Sequence, residues 1–250
     1  MAKVIGKIKL KGTLDDLVFY EAQNGDNIVR TKGGSITSEE FYSNPIFQRI
    51  RDHGKEFGHA AIMSRTFRML VRVLNEKAKD LTYAGRSNQL LLEIIKEDTL
   101  HENGQRTLVQ GIQEEEVASY LLGFEGNKHR PLGKVLLVPW QWNEMLGQLE
   151  VASFNPMQDL DWPAEATHVE FCVGRTNWDF ESTTFVTHYS ELVRLEKTSP
   201  VVDLHLAVEE AKGAGRSFLY FYIGFLKQQR KTIKPLKRIH NTVSLCKVFD

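Results

Sequence analysis

The chain has 250 residues, of which 42% are hydrophobic and 26% are charged, and its 32 basic and 32 acidic side chains cancel to a formal net charge of zero. This composition is that of an ordinary globular protein and excludes a disordered chain, a collagen and a coiled-coil rod. The sequence has no apolar run long enough for a membrane-spanning helix. Its length allows one large domain or two small ones.

The first 34 residues predict a small β-sheet. Ile8 and Leu10 alternate with lysines, residues 14–20 form a second extended run, and residues 27–31 form a third after an Asn-Gly pair. Asn-Gly is a strong hairpin signal because both central residues of the turn need positive φ. A three-stranded meander of this size cannot stand alone. It must pack within the monomer or pair with another molecule through its edges.

Helices are predicted for the next part of the chain. Asn44 and Pro45 are typical of a helix start. Apolar residues at helical spacing continue to about residue 79, as one long helix or as two with a break near Gly58. Gly54 and Gly58 indicate either close approach by a neighbouring element or a kink. A further helix is predicted over residues 87–98.

From about residue 133 the pattern changes to short extended runs separated by turn residues, which predicts an antiparallel sandwich or barrel. The runs cover residues 135–138, 147–154, 167–173, 183–189, 201–208, 217–226 and 239–248. Residues 218–225 are apolar on both faces, which is typical of a central strand. We therefore expect an α+β fold with an N-terminal β meander, central helices and a C-terminal antiparallel β-sandwich. The corresponding domains are a β arm (1–34), a helical region (35–128) and a β-sandwich domain (129–250).

Charge is unevenly distributed along the chain. Arg65, Arg68 and Arg72 form one basic stripe, which can bind phosphates, contact an acidic neighbour or simply be solvated. Eight basic residues and one acidic residue lie from Gly213 onward, which predicts a basic hairpin loop. The loop has no interleaved aromatic side chains and the whole chain is neutral, so we do not expect a dedicated nucleic-acid binder.

Motifs with a known catalytic mechanism are absent from the sequence. It contains no phosphate-binding glycine-rich loop, nucleophile elbow, metalloprotease motif or Cys-x-x-Cys, and its eight histidines are dispersed. Cys172 and Cys246 do not make a disulfide framework or a metal cluster. We therefore expect no catalytic residues, no metal, no cofactor and no enzymatic activity. An enzyme with a site built from scattered residues is the remaining alternative.

Three segments of the N-terminal part carry a family resemblance. They are Lys-Gly-Thr-Leu-Asp-Asp-Leu-Val-Phe-Tyr (11–20), Val-Arg-Thr-Lys-Gly-Gly (29–34) and the segment 44–58, which begins Asn-Pro-Ile-Phe-Gln-Arg. They resemble a family of Bacteroidetes proteins whose function is unknown, and looser similarity extends over most of the chain. The resemblance implies a bacterial source and carries over no catalytic residue. The family layout, a β segment and a helix before a sandwich, resembles subunits of polymers and virion-like particles.

The sequence therefore predicts a non-enzymatic structural subunit that self-assembles into a homo-oligomer or polymer, such as a filament, a ring or a virion-like particle. Expected partners are copies of the chain or another protein, without nucleic acid or a membrane span. We expect synthesis in the cytoplasm, with release only as part of a particle. The predicted contact residues are Ile8, Leu10, Leu14, Phe19, Tyr20, Arg49, Arg51, Gly54, Gly58, Arg65, Arg68 and Arg72. The alternative is a sandwich that binds a glycan or another ligand on Trp140, Trp142, Trp162 and Trp178.

Overall fold

The computed structural model describes residues 2–4, 9–22, 25–34, 36–113 and 118–249. The chain divides into two compact units, residues 1–49 and residues 50–250. The central helices and the C-terminal sheets belong to the same unit. The expected division into domains 1–34, 35–128 and 129–250 stays a prediction.

The first unit contains a four-stranded antiparallel sheet. Its strands are β1 (Ala2–Lys3), β2 (Gly12–Leu14), β3 (Leu17–Glu21) and β4 (Asn27–Thr31), in the order β1-β4-β3-β2. The predicted N-terminal meander is confirmed, but the extended run at 14–20 is divided by a turn in which Asp15 has a φ of 48°. Aspartate tolerates this left-handed conformation. Leu10 lies before β2, outside any strand, and Ile8 lies outside the described residues.

Two short helical segments follow this sheet. Helix α1 (Ser38–Ser43), which the sequence pattern does not predict, is capped by Thr37, whose hydroxyl accepts a hydrogen bond from the backbone N–H of Glu40 at 3.1 Å. A 3-10 turn covers Pro45–Phe47. The predicted cap at Asn44 is confirmed, because its side-chain oxygen accepts from the backbone N–H of Ile46 at 3.0 Å.

The long helix continues through both of its glycines. Helix α2 (Gln48–Met69) is uninterrupted at Gly54 and Gly58, so of the two alternatives the break near Gly58 is wrong, and the chain leaves the helix at Leu70 and Val71. Both of these side chains are fully buried, and Val71 is non-helical. The buried face of α2 offsets the glycine cost of about 1 kcal/mol per residue. The later helices are α3 (Arg72–Ala78), α4 (Tyr83–Lys96), α5 (Leu108–Gly111), α6 (Ala118–Leu121) and α7 (Leu132–Val135).

Two antiparallel sheets complete the second unit. The smaller has the order β10-β6-β5 and is built from β5 (Gln141–Asn143), β6 (Gln148–Phe154) and β10 (Val202–Ala207). The larger centres on the long pair β7 (His168–Trp178) and β11 (Arg216–Gln229). Strands β8 (Phe185–Tyr189) and β9 (Val193–Glu196) pair with β7, and β12 (Thr232–Pro235) and β13 (Thr242–Phe249) pair with β11.

Most of the predicted C-terminal strands are confirmed, with one exception. Residues 135–138 are not a strand: Val135 ends α7, and Leu136 makes only an isolated bridge to Leu160. The sequence pattern does not predict three short strands, β5, β9 and β12. They have three or four residues each, which is too short for an alternation of apolar and polar residues to be recognised.

The six-stranded sheet is buried on both faces. On β11, Phe218, Tyr220 and Tyr222 belong to a core shared with the helices, whereas Leu219 and Phe221 belong to a second core shared with the smaller sheet. The prediction that this strand is central is therefore confirmed. Helices, large sheet and small sheet form three successive layers, so the α+β fold with a C-terminal antiparallel β-sandwich is confirmed. None of the described helices is both long and apolar enough to cross a membrane.

Candidate functional site

The sheet of the first unit has no hydrophobic core of its own. Among the described residues up to 49 whose exposure is defined, only Asn27 is buried. Of the predicted contact residues, Leu10 and Leu14 are exposed, and Phe19 and Tyr20 on β3 are half-buried. Strands β1 and β2 form the two edges of the sheet. The sheet therefore presents incompletely buried apolar side chains together with two strand edges.

The outward side of α2 carries several exposed apolar side chains as well. Ile50, Phe57 and Ile62 are 58%, 51% and 64% exposed. Around each of the two glycines of this helix, Gly54 and Gly58, no atom of the described chain lies within 4 Å of an added Cβ. The close approach that these glycines suggested is thus not made by any described element of the second unit. The opposite side of the helix is already buried. The outward side of α2 therefore combines exposed apolar side chains with exposed charged ones such as Lys55 and Arg65.

The predicted basic stripe lines a cleft of about 550 Å³. Arg65, Arg68 and Arg72 come from α2 and the first turn of α3, and the fold adds Lys79, after α3, and Arg238. Arg238 stands in a 3-10 turn, Arg238–His240, just before β13. The neighbouring Asn241 fixes this turn to α3, because its amide donates to the backbone carbonyl of Lys77 at 2.9 Å. The cleft therefore gathers five cations from distant parts of the sequence.

Arg68 is held in a fixed orientation at this cleft. It is half-buried, and its Nη1 donates to the hydroxyl of Ser64 and, at 3.3 Å, to that of Ser87. The two serine hydroxyls are 3.0 Å apart and buried. They accept from the guanidinium but do not neutralise it. In the part of the chain that the structure describes, no carboxylate oxygen lies within 4 Å of Arg65, Arg68, Arg72 or Arg238.

The two acidic side chains of the cleft are each paired with a cation other than the four arginines. Glu76 pairs with Lys79 at 2.9 Å, and the hydrogen bond from Lys79 is the main reason that its pKa is lowered. Burial alone raises the pKa of Asp80, but hydrogen bonds from Lys128 and Thr82, together with the charge of Arg86, outweigh this effect and lower it to about 2. Both groups are therefore ionised at neutral pH, and neither pairs with the four arginines.

A second charged cluster adjoins the cleft, and its charges are paired with one another. Glu170 on β7 is 4% exposed and accepts from Lys77 at 3.4 Å, from Arg194 at 3.1 Å and from the Tyr222 hydroxyl at 3.2 Å. Burial is the main reason that the pKa of Tyr222 is raised, so the phenol stays protonated. With two cations already on one carboxylate, this cluster is a structural ion-pair network at the junction of α3 with the large sheet.

The remaining predicted contact residues lie apart from the cleft. Arg51 is half-buried and sits 14 positions before Arg65 on α2, about 21 Å along the helix. Arg49 is exposed and belongs to the first unit. Neither lines the cleft. Sequence reasoning missed Lys79, and it placed Arg238 only in a basic hairpin. No linear spacing connects residue 238 with the stripe, because the turn that carries it reaches α3 through tertiary contacts.

The four tryptophans do not form an exposed platform. Trp178 is fully buried in the helical core, and Trp140, Trp142 and Trp162 are half-buried against the core between the two sheets. Trp142 also packs edge-on against the ring of Phe249. A sugar ring needs a free indole face, so this arrangement does not favour the glycan-binding alternative.

Comparisons with protein-family models, with curated proteins and with solved structures find no match for this chain. The resemblance to a Bacteroidetes family therefore stays a prediction. The function has to be inferred from the surfaces of the molecule itself.

Proposed function

We propose that the protein is a non-enzymatic structural subunit that self-assembles, through its N-terminal sheet and the outward side of α2, into a homo-oligomer or polymer. The observation that carries the proposal is the sheet of the first unit, in which no hydrophobic side chain with a defined exposure is buried. Production in the cytoplasm and release as part of a particle belong to the same proposal.

The physical argument begins with the stability of the sheet. A sheet of three or more strands is stable on its own only when it has a hydrophobic face or packs against a helix. Leu17, Phe19 and Val29 lie on paired strands of this sheet and remain at least partly exposed. Each of these side chains contributes about 1.5–3 kcal/mol when it passes from full exposure to full burial. Because these side chains are already partly buried, a partner surface that covers them adds part of this stability in the assembly.

The chain supplies such a surface itself. The outward side of α2 carries Phe57 and Ile62 next to bare glycines, which allow another backbone or a flat apolar face to approach closely. When two different surfaces of one chain bind each other, the contact is heterologous, and it closes into a ring or continues as a filament. Strand edges add backbone hydrogen bonds between neighbours. A second copy is therefore the simplest occupant of both surfaces.

The experiment that tests the proposal is size-exclusion chromatography with light scattering over a range of protein concentrations. We expect the full chain to form a defined oligomer or polymer. A chain lacking residues 1–34 and an Ile62→Glu variant should both shift to monomer, because one loses the sheet and the other puts a charge into the apolar contact. Met145→Glu is the matched control, since Met145 is 94% exposed in the β5–β6 turn, and it should assemble like the wild type.

Two results would contradict the proposal. One is a wild-type chain that remains monomeric at the highest concentration tested. The other is a truncated chain that forms the same oligomer as the full chain, because the N-terminal sheet would then take no part in the contact.

A further inference from the structure

We infer that the cleft formed by Arg65, Arg68, Arg72, Lys79 and Arg238 binds a small anion that carries several linked phosphate groups. The inference rests on the charge balance, the orientation and the size of the cleft.

The side chains that line the cleft carry more positive than negative charge, which favours binding of an anion. Five cationic and two acidic side chains line it. Glu76 is occupied by Lys79, and Asp80 is occupied by Arg86 at 2.7 Å. Four guanidinium groups thus line one cleft with no carboxylate oxygen within 4 Å in the described chain, and the charges of Arg72 and Arg238 act more weakly on Glu76 than its hydrogen bond from Lys79 does. A concentration of unpaired positive charge in a concave site attracts anions.

The orientation of Arg68 adds a second argument. A half-buried charge is costly unless it is paired. The structure places this guanidinium on two buried hydroxyls that fix its direction without neutralising it. A guanidinium held in this way presents several N–H donors in a fixed plane, which matches the oxygens of a phosphate group. A bound phosphate supplies the missing charge.

The size and lining of the cleft favour a compact ligand over a nucleic-acid strand. A volume of about 550 Å³ lies in the range of sites for small molecules. Binding of single strands uses exposed aromatic rings on which bases stack. The one aromatic residue in this lining, Tyr83, is 3% exposed and packs against Phe124. Several arginines close together instead suit a chain of two or three phosphates, whose charge exceeds that of sulfate or a single phosphate.

The linked phosphates have two chemical sources, an inorganic polyphosphate or a nucleoside triphosphate. The apolar part of the lining, Met69, Leu81 and Ala84, is available to a nucleoside but is not required by the phosphates. The two sources are therefore distinguished by comparing inorganic tripolyphosphate with ATP, both without added metal ions.

The experiment is isothermal titration calorimetry of the full chain with each compound at constant ionic strength, with sulfate as a weakly charged comparison. We expect one tripolyphosphate per chain and weaker binding of sulfate. Arg68→Gln and Arg238→Gln should each lower the affinity for tripolyphosphate about tenfold, because each removes one charge-assisted contact. Arg238 is exposed, so its substitution leaves the core intact even if the Arg68 variant folds poorly. Arg230→Gln removes an arginine from the β11–β12 hairpin, outside the cleft. The affinity of this variant for tripolyphosphate should stay within twofold of that of the wild type.

The outcomes separate clearly. Tighter binding of ATP than of tripolyphosphate supports the inferred anion site with a nucleoside triphosphate as its ligand. Equal or weaker binding of ATP supports the site with a ligand that consists of phosphates alone. Absence of binding for both compounds at millimolar concentration overturns the inference. An Arg230→Gln variant that loses as much affinity as Arg238→Gln also overturns it, because binding would then follow overall charge and not the cleft.

Discussion

Glu56 lies on the buried side of α2, only 2% exposed, and is paired with Arg106 from the loop that precedes α5. Its two oxygens accept from Nε of Arg106 at 2.7 Å and from Nη2 at 2.8 Å, and the backbone N–H of Gly104 donates to it at 2.8 Å. The hydrogen bond from Arg106 is the main reason that the pKa of Glu56 is lowered. This bidentate contact ties the loop to the helix.

Replacing Arg106 by methionine should therefore be strongly destabilising. The substitution leaves a buried carboxylate without its counter-charge, which costs about 3–5 kcal/mol in free energy of unfolding. Urea unfolding measures the loss. Lys227→Met is the control, because its ion pair with Glu165 is exposed and should contribute less than about 1 kcal/mol. A loss for Arg106→Met no larger than that of the control would show that the buried pair is not needed.

Glu125 is the carboxylate whose environment opposes its charge. Burial raises its pKa to about 7, although it accepts hydrogen bonds from the backbone N–H of Leu132 at 3.0 Å and from the hydroxyl of Thr242 at 3.5 Å. The folded chain therefore holds a proton on Glu125 more tightly than the unfolded chain does. Stability from this group is fully present below about pH 4.5 and is lost as the pH rises through 7.

The corresponding prediction concerns Glu125→Gln. Between pH 5 and pH 8, the free energy of unfolding of the wild type should fall by on the order of 1–2 kcal/mol more than that of the variant. This value is smaller than the full pKa shift implies, because the side chain is only partly buried. The variant should be about as stable as the wild type near pH 5 and more stable than the wild type at pH 8. Urea unfolding at the two pH values decides the matter, and a constant difference between the proteins would contradict the raised pKa.

At the scale of elements, two glycines have opposite roles. Gly111 ends α5 where it meets α4, and an added Cβ there would lie 2.1 Å from the backbone carbonyl oxygen of Ile94. Gly58 lies inside α2 with open space around it. One glycine allows two helices to pack, whereas the other only weakens the helix that contains it.

Alanine substitutions should therefore act in opposite directions. Gly111→Ala should lower the free energy of unfolding by about 1–3 kcal/mol, because the two helices must separate. Gly58→Ala should raise it by about 0.5–1 kcal/mol through better helix propensity. Thermal unfolding of both variants at low protein concentration measures these changes. A stabilising Gly111→Ala would contradict the close approach of α5 to α4.

Elements with a long, regular pattern could be predicted from the sequence, and short or context-dependent ones could not. The two-faced apolar run of β11 and the alternation of β6 and β10 are read directly from their residues. Residues 135–138 look like a strand but are divided between α7 and a loop, because Pro131 and tertiary burial of Leu132 and Val135 favour a helical turn there. The end of α2 is set by burial of Leu70 and Val71 in the core, which local propensity does not encode.

The candidate cleft shows the same limit at the scale of the whole molecule. The spacing of Arg65, Arg68 and Arg72 is visible in the sequence, but a solvated face has the same spacing. The features that make a cleft, Arg238 brought to α3 and Glu76 already paired with Lys79, depend on tertiary contacts. Single-sequence patterns carry no information about such pairings.

Both hydrophobic cores lie within the second unit. The helical core begins at Ala60, and the core between the sheets begins at Leu132. A chain lacking residues 1–34 should therefore unfold thermally within a few degrees of the monomeric full chain. The comparison is made at low concentration, because assembly stabilises the full chain by mass action. A much lower midpoint for the truncated chain would show that the N-terminal sheet stabilises the core within a single molecule.

The position of β11 has a consequence for folding during synthesis. This strand contributes to both cores and pairs with β7 along most of its length, so neither core can close before residues 216–229 leave the ribosome. The pairing of β11 with β7 is non-local, and such pairing is slow. In the sheet of the first unit, β2, β3 and β4 are joined by local hairpins and emerge much earlier, whereas β1 pairs with β4 over a longer separation in sequence. If copies of the chain assemble as we propose, the N-terminal strands of neighbouring nascent chains on one message become available for pairing with each other before any of these chains has a core.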